Sequence, residues 1–446
     1  MRTPVLDFVK QYAASEPVRM HMPGHKGKAI LGCEATDITE ISGAGELYAS
    51  DGPVGQGEAN TAALFGTAKT CWVTEGSSQC IRAMLALALQ GSKSRTVIAA
   101  RNVHRAFLTG CALLDAHVVW LSPETEDFNL CSCPVTARQV EDAILKQGEK
   151  PACVWLTSPD YLGAVQDVAA IAAVCRRCGV PLLVDNAHGA YLKFLECSRH
   201  PMDLGADLCC DSAHKTLPAL TGCAYLHIGK NAPASFARDA KGMLALFGST
   251  SPSWLLLQSL DGVNPLLESE YPRRLREIIS AVADMKFRLR QAGWQFFGEE
   301  PLKMTVDAKA CGYTGPELAD CLRQQNIECE YAETDFLVLM PSPWNSPEEL
   351  RRLEAALGQL PILPALPRPR LRLPAPSRVM SIREAMLAPC ETIPVAAAVG
   401  RVLASGALTC PPAVSVVTAG EVISPEAVEI MKYYGTEEVS VVSHLG

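Results

Sequence analysis

In the stretch DLCCDSAHKTLPALTGCAYLHIG, residues 207–229, Lys215 stands between a Cys-rich apolar run and a Thr-Gly turn that opens onto another apolar strand. A surface lysine sits among polar neighbours. At a partly desolvated sheet edge the ammonium form is disfavoured, and the neutral amine becomes a nucleophile suited to Schiff-base chemistry. Two further stretches end apolar strands on polar groups. VTEGSSQ runs into a Gly-Ser-Ser turn that opens a helix, where free backbone N–H groups and the positive dipole end favour a phosphate at Gly76, Ser77 and Ser78. PLLVDNAHGAY delivers Asp185 at a strand tip, with His188 three residues later, and a carboxylate there needs a cation or donor partner. Taken singly, the Ser turn and the Asp are each explained by ordinary helix capping.

Together, the three strand ends describe a cofactor with a phosphate at one end, a cationic ring nitrogen at the other and an aldehyde between them. Pyridoxal 5'-phosphate fits that description. Asp185 would keep the ring nitrogen protonated, so that the ring accepts the electron pair left when a bond at a substrate α-carbon breaks, and Lys215 would hold the aldehyde as an imine.

Such groups converge only if a scaffold brings distant segments to one edge. Between Thr70 and Gly229, short apolar strands alternate with helix-period segments, the pattern of parallel strands joined by crossover helices. Strands are expected at TCWVT, TVIAA, HVVWL, CVWLT, PLLVD, ADLCCD and CAYLHI, most without polar alternation, as in a sheet covered on both faces. In such sheets ligands bind beyond the carboxyl ends of the strands. The expected organisation is an N-terminal arm and lead-in segment (1–68), a large α/β domain (69–270), a linking helix with a small α+β domain (271–360), a Pro-rich linker (361–376) and a C-terminal domain (377–446).

With 446 residues, 48% of them hydrophobic, the chain is long enough for two or three cores. Its net charge of −8 argues against nucleic acid or an anionic membrane as the main partner and suits a cationic substrate. No signal-peptide h-region opens the chain and no apolar run approaches a membrane span, so a cytoplasmic location is expected. Most of the 18 cysteines fall inside apolar runs and read as buried thiols. Cys175 and Cys178 form a CxxC pair within one amphipathic helix that ends at Gly179, and no second ligand pair completes a metal site, so no metal is expected. MHMPGHKG lacks Walker A spacing and reads as an arm near the site entrance, with Lys26 an unsuitable alternative to Lys215.

DSAHKTLPALTG, VDNAHGAY, TEGSSQ, RNVHRAF, TSPDYLG, MHMPGHKG and STSPSWLLLQSLD, in that chain, resemble the Orn/Lys/Arg decarboxylase family, closest to its short bacterial members. The resemblance covers nearly the whole chain. It implies an aspartate-aminotransferase-like large domain (fold type I) with a mostly parallel seven-stranded sheet, and decarboxylation of lysine, arginine or ornithine to the corresponding amine and CO₂ in polyamine-related metabolism. It also implies that Lys215 is the Schiff-base lysine and Asp185 the pyridinium partner, that His104 stacks on the ring, and that Ser77, Ser78, Ser212 and His214 lie at or near the phosphate. His188 would line the substrate side, and Thr250 would approach the phosphate of a neighbouring subunit, so a homodimer with active sites at its interface is expected. Read from its own neighbours alone, His104 is a histidine at a helix start.

A cationic substrate side chain needs an acidic partner in a closed pocket, and Glu421 in TAGEVISPE is the leading candidate. The chain also departs from the family pattern. DNAHGAY replaces an expected DEAHGAH, placing Asn186 and Tyr191 there, and CPPAVSVVTAGE carries Ala413 and Ala419 where Gly and Pro are expected. Two alternatives stay open: another pyridoxal phosphate reaction such as transamination or elimination on the same fold, and a regulatory protein that binds the cofactor without turnover. The joint presence of Lys215, Asp185 and His104 argues against the second.

Overall fold

The structure, a computed structural model, describes residues 1–49, 51–123, 129, 131–404 and 414–443. Ala413 therefore lies outside the described residues. The seven expected strands all form: β1 (Lys69–Val73), β2 (Thr96–Ala100), β3 (His117–Leu121), β4 (Cys153–Thr157), β5 (Leu182–Asp185), β6 (Leu208–Asp211) and β7 (Ala224–Ile228). They make one sheet in the order β1-β7-β6-β5-β4-β2-β3. Strands β4, β5 and β6 are mutually parallel, and their residues are buried, as near-continuous apolar runs require.

Strand β7 breaks the parallel pattern, running antiparallel to both β6 and β1. Between β6 and β7 the chain makes only the one-turn helix Ala213–Thr216 and a short turn. With no longer helix there to cross over the sheet, the next strand comes back antiparallel. Lys215 lies on this chain reversal.

The helices start and stop on local signals. Ser77–Gln90 begins after Gly76, and Val168–Cys178 ends on Gly179 at φ 65°, the left-handed conformation glycine adopts without a Cβ penalty. Cys175 is buried and Cys178 half-buried on that helix, both as free thiols. Most cysteines among the described residues are likewise buried and unbridged, and no described helix is long and apolar enough to cross a membrane.

The chain divides into two compact units. The first comprises Met1–Val97, Val140–Ser158 and Asp167–Arg273. Its core holds Trp72, Leu183, Val184, Tyr225 and Leu226, with helix Ala234–Ala245 packed on Ser77–Gln90. The second comprises Ile98–Gln139, Pro159–Gln166 and Arg274–Gly446. The long helix Tyr271–Gln291 enters it, and a four-stranded antiparallel sheet follows: β8 (Phe296–Phe297), β9 (Met304–Asp307), β10 (Tyr331–Ala332) and β11 (Phe336–Leu339) in the order β10-β11-β9-β8. A ribbon of β12 (Cys390–Pro394) and β13 (Glu438–Val442) joins the same core through Val439 and Val441, which cluster with Tyr161, Phe336 and Ile430 and with Val395 just beyond β12. Residues 361–376 form neither helix nor strand. Three helices of this unit carry capping boxes, Thr314 with Glu317, Ser346 with Glu349 and Ser381 with Glu384.

Candidate functional site

In the first unit, the parallel pairing of β5 and β6 sets Asp185 opposite Cys210. Chain segments leaving the two strands therefore start from the same edge. Asp185 is the last residue of β5 and 2% exposed. Its Oδ1 accepts from the Ala187 amide at 3.2 Å and lies 3.6 Å from the Cys210 thiol. Beyond β6 the chain turns at Ser212 into the helix Ala213–Thr216. Half-buried Lys215 lies on that turn, its Nζ 2.9 Å from His188 Nε2. The DNAH and SAHK segments, distant in sequence, thus meet through their amine and imidazole.

The Gly-Ser-Ser turn lies in the same unit. Ser212 Oγ donates to Ser77 Oγ at 2.8 Å, tying the lysine turn to the first residue of helix Ser77–Gln90. Gly76 precedes that helix at φ 70°, donates its amide to the Gly222 carbonyl at 2.8 Å and places no side-chain cap on the helix. A fourteen-residue helix then begins with its first amides not capped by a side chain, the arrangement that receives an anion. Ser78 is half-buried, and His214 engages the Cys223 carbonyl through Nδ1 at 2.9 Å. Thr250 is exposed, in a loop whose Ser249 amide donates to the carboxylate of Glu75, next to Gly76.

Behind the strand tips lies a group that the sequence reading did not single out. Asp211, 0% exposed at the end of β6, accepts from Asn186 Nδ2 at 2.6 Å, His200 Nε2 at 3.0 Å and His227 Nε2 at 3.1 Å. Burial opposes its ionisation, but the two imidazoles outweigh burial and hold the carboxyl below the ordinary carboxylate range. Burial also lowers the His227 pKa against the opposing pull of Asp211, which favours a neutral ring. His200 lies in the polar stretch SRHPMD, where no periodicity marks it, and only the fold brings it to Asp211.

In the second unit, His104 precedes helix Arg105–Leu114 as its cap, its Nδ1 accepting from the Ala106 amide at 3.1 Å. The helix-start reading of this residue therefore describes its backbone role. Because an amide can only donate, Nδ1 is the accepting nitrogen and the ring proton of the neutral form resides on Nε2. Glu421 is 2% exposed and paired with Arg101, which reaches it through Nη1 at 3.3 Å and also through Nη2; the Thr418 amide donates to the same carboxylate at 2.7 Å. Arg101 further donates to the carbonyls of Ser415 and Val416 and lies over the Trp120 ring at 5.5 Å. Its position three residues before His104 in RNVHRAF was its only sequence signal.

Asp160, in the TSPDYLG segment, is buried in the second unit and accepts from the Leu162 and Ala164 amides at 3.0 and 2.8 Å. Burial pushes it up to about 6 against those bonds and Lys303. Nearby, Lys303 and Glu300 form a buried pair at 3.3 Å.

Comparison with known proteins gives these parts a family. Residues 3–311 match the Orn/Lys/Arg decarboxylase major domain, and residues 373–440 match the Orn/Lys/Arg decarboxylase C-terminal domain. Arginine decarboxylase of Bacillus subtilis is 27% identical over 95% of this chain and 92% of its own. Among solved structures, the constitutive lysine decarboxylase of E. coli superposes with a TM-score of 0.78 at 18% identity, covering 99% of this chain and 82% of that one. An alanine–glyoxylate aminotransferase from Nostoc shares the fold over 72% of this chain and 89% of its own, with a TM-score of 0.56 at 19% identity. The sheet is therefore of the aminotransferase-like type, and the chain belongs to the Orn/Lys/Arg decarboxylase family.

Proposed function

We propose that this chain binds pyridoxal 5'-phosphate in its first unit and decarboxylates a basic amino acid, with arginine the first substrate to test. The observation that carries the proposal is the 2.9 Å contact between Lys215 and His188 at the strand edge that bears Asp185. The residues present fit the cofactor's three polar parts. The helix start at Gly76, Ser77 and Ser78, tied to Ser212, suits its phosphate. Lys215 supplies an amine for its aldehyde, and the Asp185 carboxylate suits a protonated ring nitrogen. When bound, the cofactor supplies an electron sink for the pair left behind as CO₂ departs.

The chain's own groups do the rest. His188 holds or accepts a proton at Lys215 Nζ, so that one hydrogen bond serves both the free amine and its protonated form. Ser77 and Ser212 fix the turn on which Lys215 is carried. His214 braces that turn against the Cys223 carbonyl. In this reading His104 offers a ring face to the cofactor, Thr250 serves the neighbouring subunit of a homodimer, and the amine product enters polyamine-related metabolism in the cytoplasm. The curated relatives named arginine decarboxylase favour arginine over lysine or ornithine.

The test is incubation of purified, cofactor-loaded protein with arginine, lysine and ornithine separately, measuring CO₂ and the primary amine together. Stoichiometric CO₂ and agmatine from arginine, abolished in Lys215→Ala, is the expected result. A keto acid without CO₂ would sink decarboxylation in favour of transamination.

A further inference from the structure

Asn186 follows Asp185 at the tip of β5, and Asp211 ends β6 just before the turn to Lys215. The 2.6 Å hydrogen bond from Asn186 Nδ2 to Asp211 Oδ1 joins these two tips, and both residues are 0% exposed. The other carboxylate oxygen, Oδ2, accepts from both His200 Nε2 and His227 Nε2. Each ring's remaining nitrogen is also engaged: His200 Nδ1 with the Met202 amide at 3.3 Å, and His227 Nδ1 with the Thr70 hydroxyl at 2.8 Å. A backbone amide cannot accept, so the His200 proton sits on Nε2, facing Asp211. Asp211 is an ionised carboxylate held by directed donors in the protein interior.

Asn186 stands where the family resemblance expects an acidic residue. A second carboxylate facing Asp211 would repel it, whereas an amide fits in one orientation only, because flipping it would set oxygen against oxygen. The consequence reaches Asp185 directly. Its Oδ1 accepts from the Ala187 amide, one residue beyond Asn186, so slack at Asn186 passes into the carboxylate through that bond.

We infer that Asp211 is a positioning residue: by clamping Asn186 it holds the Asp185 carboxylate in register with the strand that leads to Lys215. It contacts neither cofactor nor substrate in this scheme, and the inference rests on the cofactor site proposed above.

The experiment uses the full chain loaded with pyridoxal phosphate, comparing Asp211→Asn, Asn186→Ala and the reciprocal pair Asn186→Asp with Asp211→Asn. Each single variant is expected to weaken cofactor retention by about tenfold, the loss of one hydrogen bond to a charged group. Each should also move the pH midpoint of the bound cofactor's absorbance and lower kcat with little change in KM. The reciprocal pair should restore all three readouts, because its amide at 211 donates to the carboxylate at 186 while its oxygen still accepts from His200 and His227. Variants that melt earlier yet keep wild-type cofactor retention and absorbance midpoint would reduce Asp211 to a merely structural role and overturn the inference. Should Asp211→Asn fail to fold, Asn186→Ala, which leaves the carboxylate and both imidazoles in place, decides by the same readouts. A wild-type protein that takes up no cofactor would overturn the site itself, an outcome distinct from normal binding with silent 186 and 211 variants.

Discussion

Lys215 Nζ and His188 Nε2 lie 2.9 Å apart, which puts an imidazole in direct contact with the amine proposed to anchor the cofactor. A proton can pass between the two without side-chain movement. His188→Ala is expected to lower kcat about 10²-fold while the protein still takes up pyridoxal phosphate, a loss of the size that general acid–base groups carry. Steady-state kinetics beside an absorbance spectrum of the loaded variant checks both halves.

Ser77 and Ser212 share one hydrogen bond of 2.8 Å across two segments far apart in sequence. If that bond shapes the anion site, Ser77→Ala and Ser212→Ala each weaken cofactor binding by about tenfold, and the double variant is no worse than either single one. Equilibrium titration of the apoprotein with pyridoxal phosphate measures all three. Additive losses would mean the hydroxyls act separately.

His104 combines a helix cap with an aromatic ring, and two substitutions separate these roles. His104→Asn keeps a cap and removes the ring, whereas His104→Phe does the reverse. The Phe variant is expected to lose about 1 kcal/mol of stability, as cap removal does, yet retain more activity than the Asn variant. Thermal melts paired with CO₂ release give the comparison; equal activity in the two would leave the ring without a role.

Glu421 and Arg101 are 2% and 3% exposed, and breaking such a pair from one side leaves an uncompensated interior charge. Arg101→Met is expected to cost about 3 kcal/mol, with much of that recovered when Glu421→Leu is added. Chemical denaturation measures both. If Glu421→Gln instead raised KM for the amino acid and left the unfolding midpoint unchanged, the residue would belong to substrate recognition.

Glu333 gives a pH-dependent prediction. Burial pushes its carboxyl up to about 8, with neighbouring Asp335 adding to the rise while the Asp335 and Phe336 amides oppose it. The folded chain therefore keeps a proton that the unfolded chain has released above its ordinary value of 4.5. This group's contribution to stability falls as pH rises between those two values and is flat above them. Glu333→Gln removes that decline, so the variant's melting temperature should gain on the wild type as pH climbs to about 8 and gain nothing further beyond it. Melts across a pH series at constant ionic strength provide the check.

The large sheet was legible because each strand is a short apolar run closed by a turn signal, a property that chain-local patterning reports. The reversal of β7 was not, since strand direction depends on how much chain joins β6 to β7 and that is invisible to alternation. The β12–β13 ribbon was missed for a related reason: Cys390 pairs with Val442 across a long intervening segment, and neither strand is apolar enough to stand out alone. At the candidate site, Asp185 and Ser77 are recognisable because one ends a strand and the other opens a helix, and Lys215 because it stands on a short turn between two apolar runs. Asp211 and His200 were not, because a buried polar network is defined by partners that only folding assembles.

The many unbridged interior thiols have a practical consequence. Burial pushes Cys71 and Cys133 up to about 11, leaving them protonated as well as shielded, whereas Cys197 and Cys390 are exposed. A maleimide added to the native enzyme at neutral pH should therefore modify the second pair promptly and the first only when the fold opens. The slow phase of labelling becomes a built-in clock for breathing of the molecule, readable by mass spectrometry with no engineered probe.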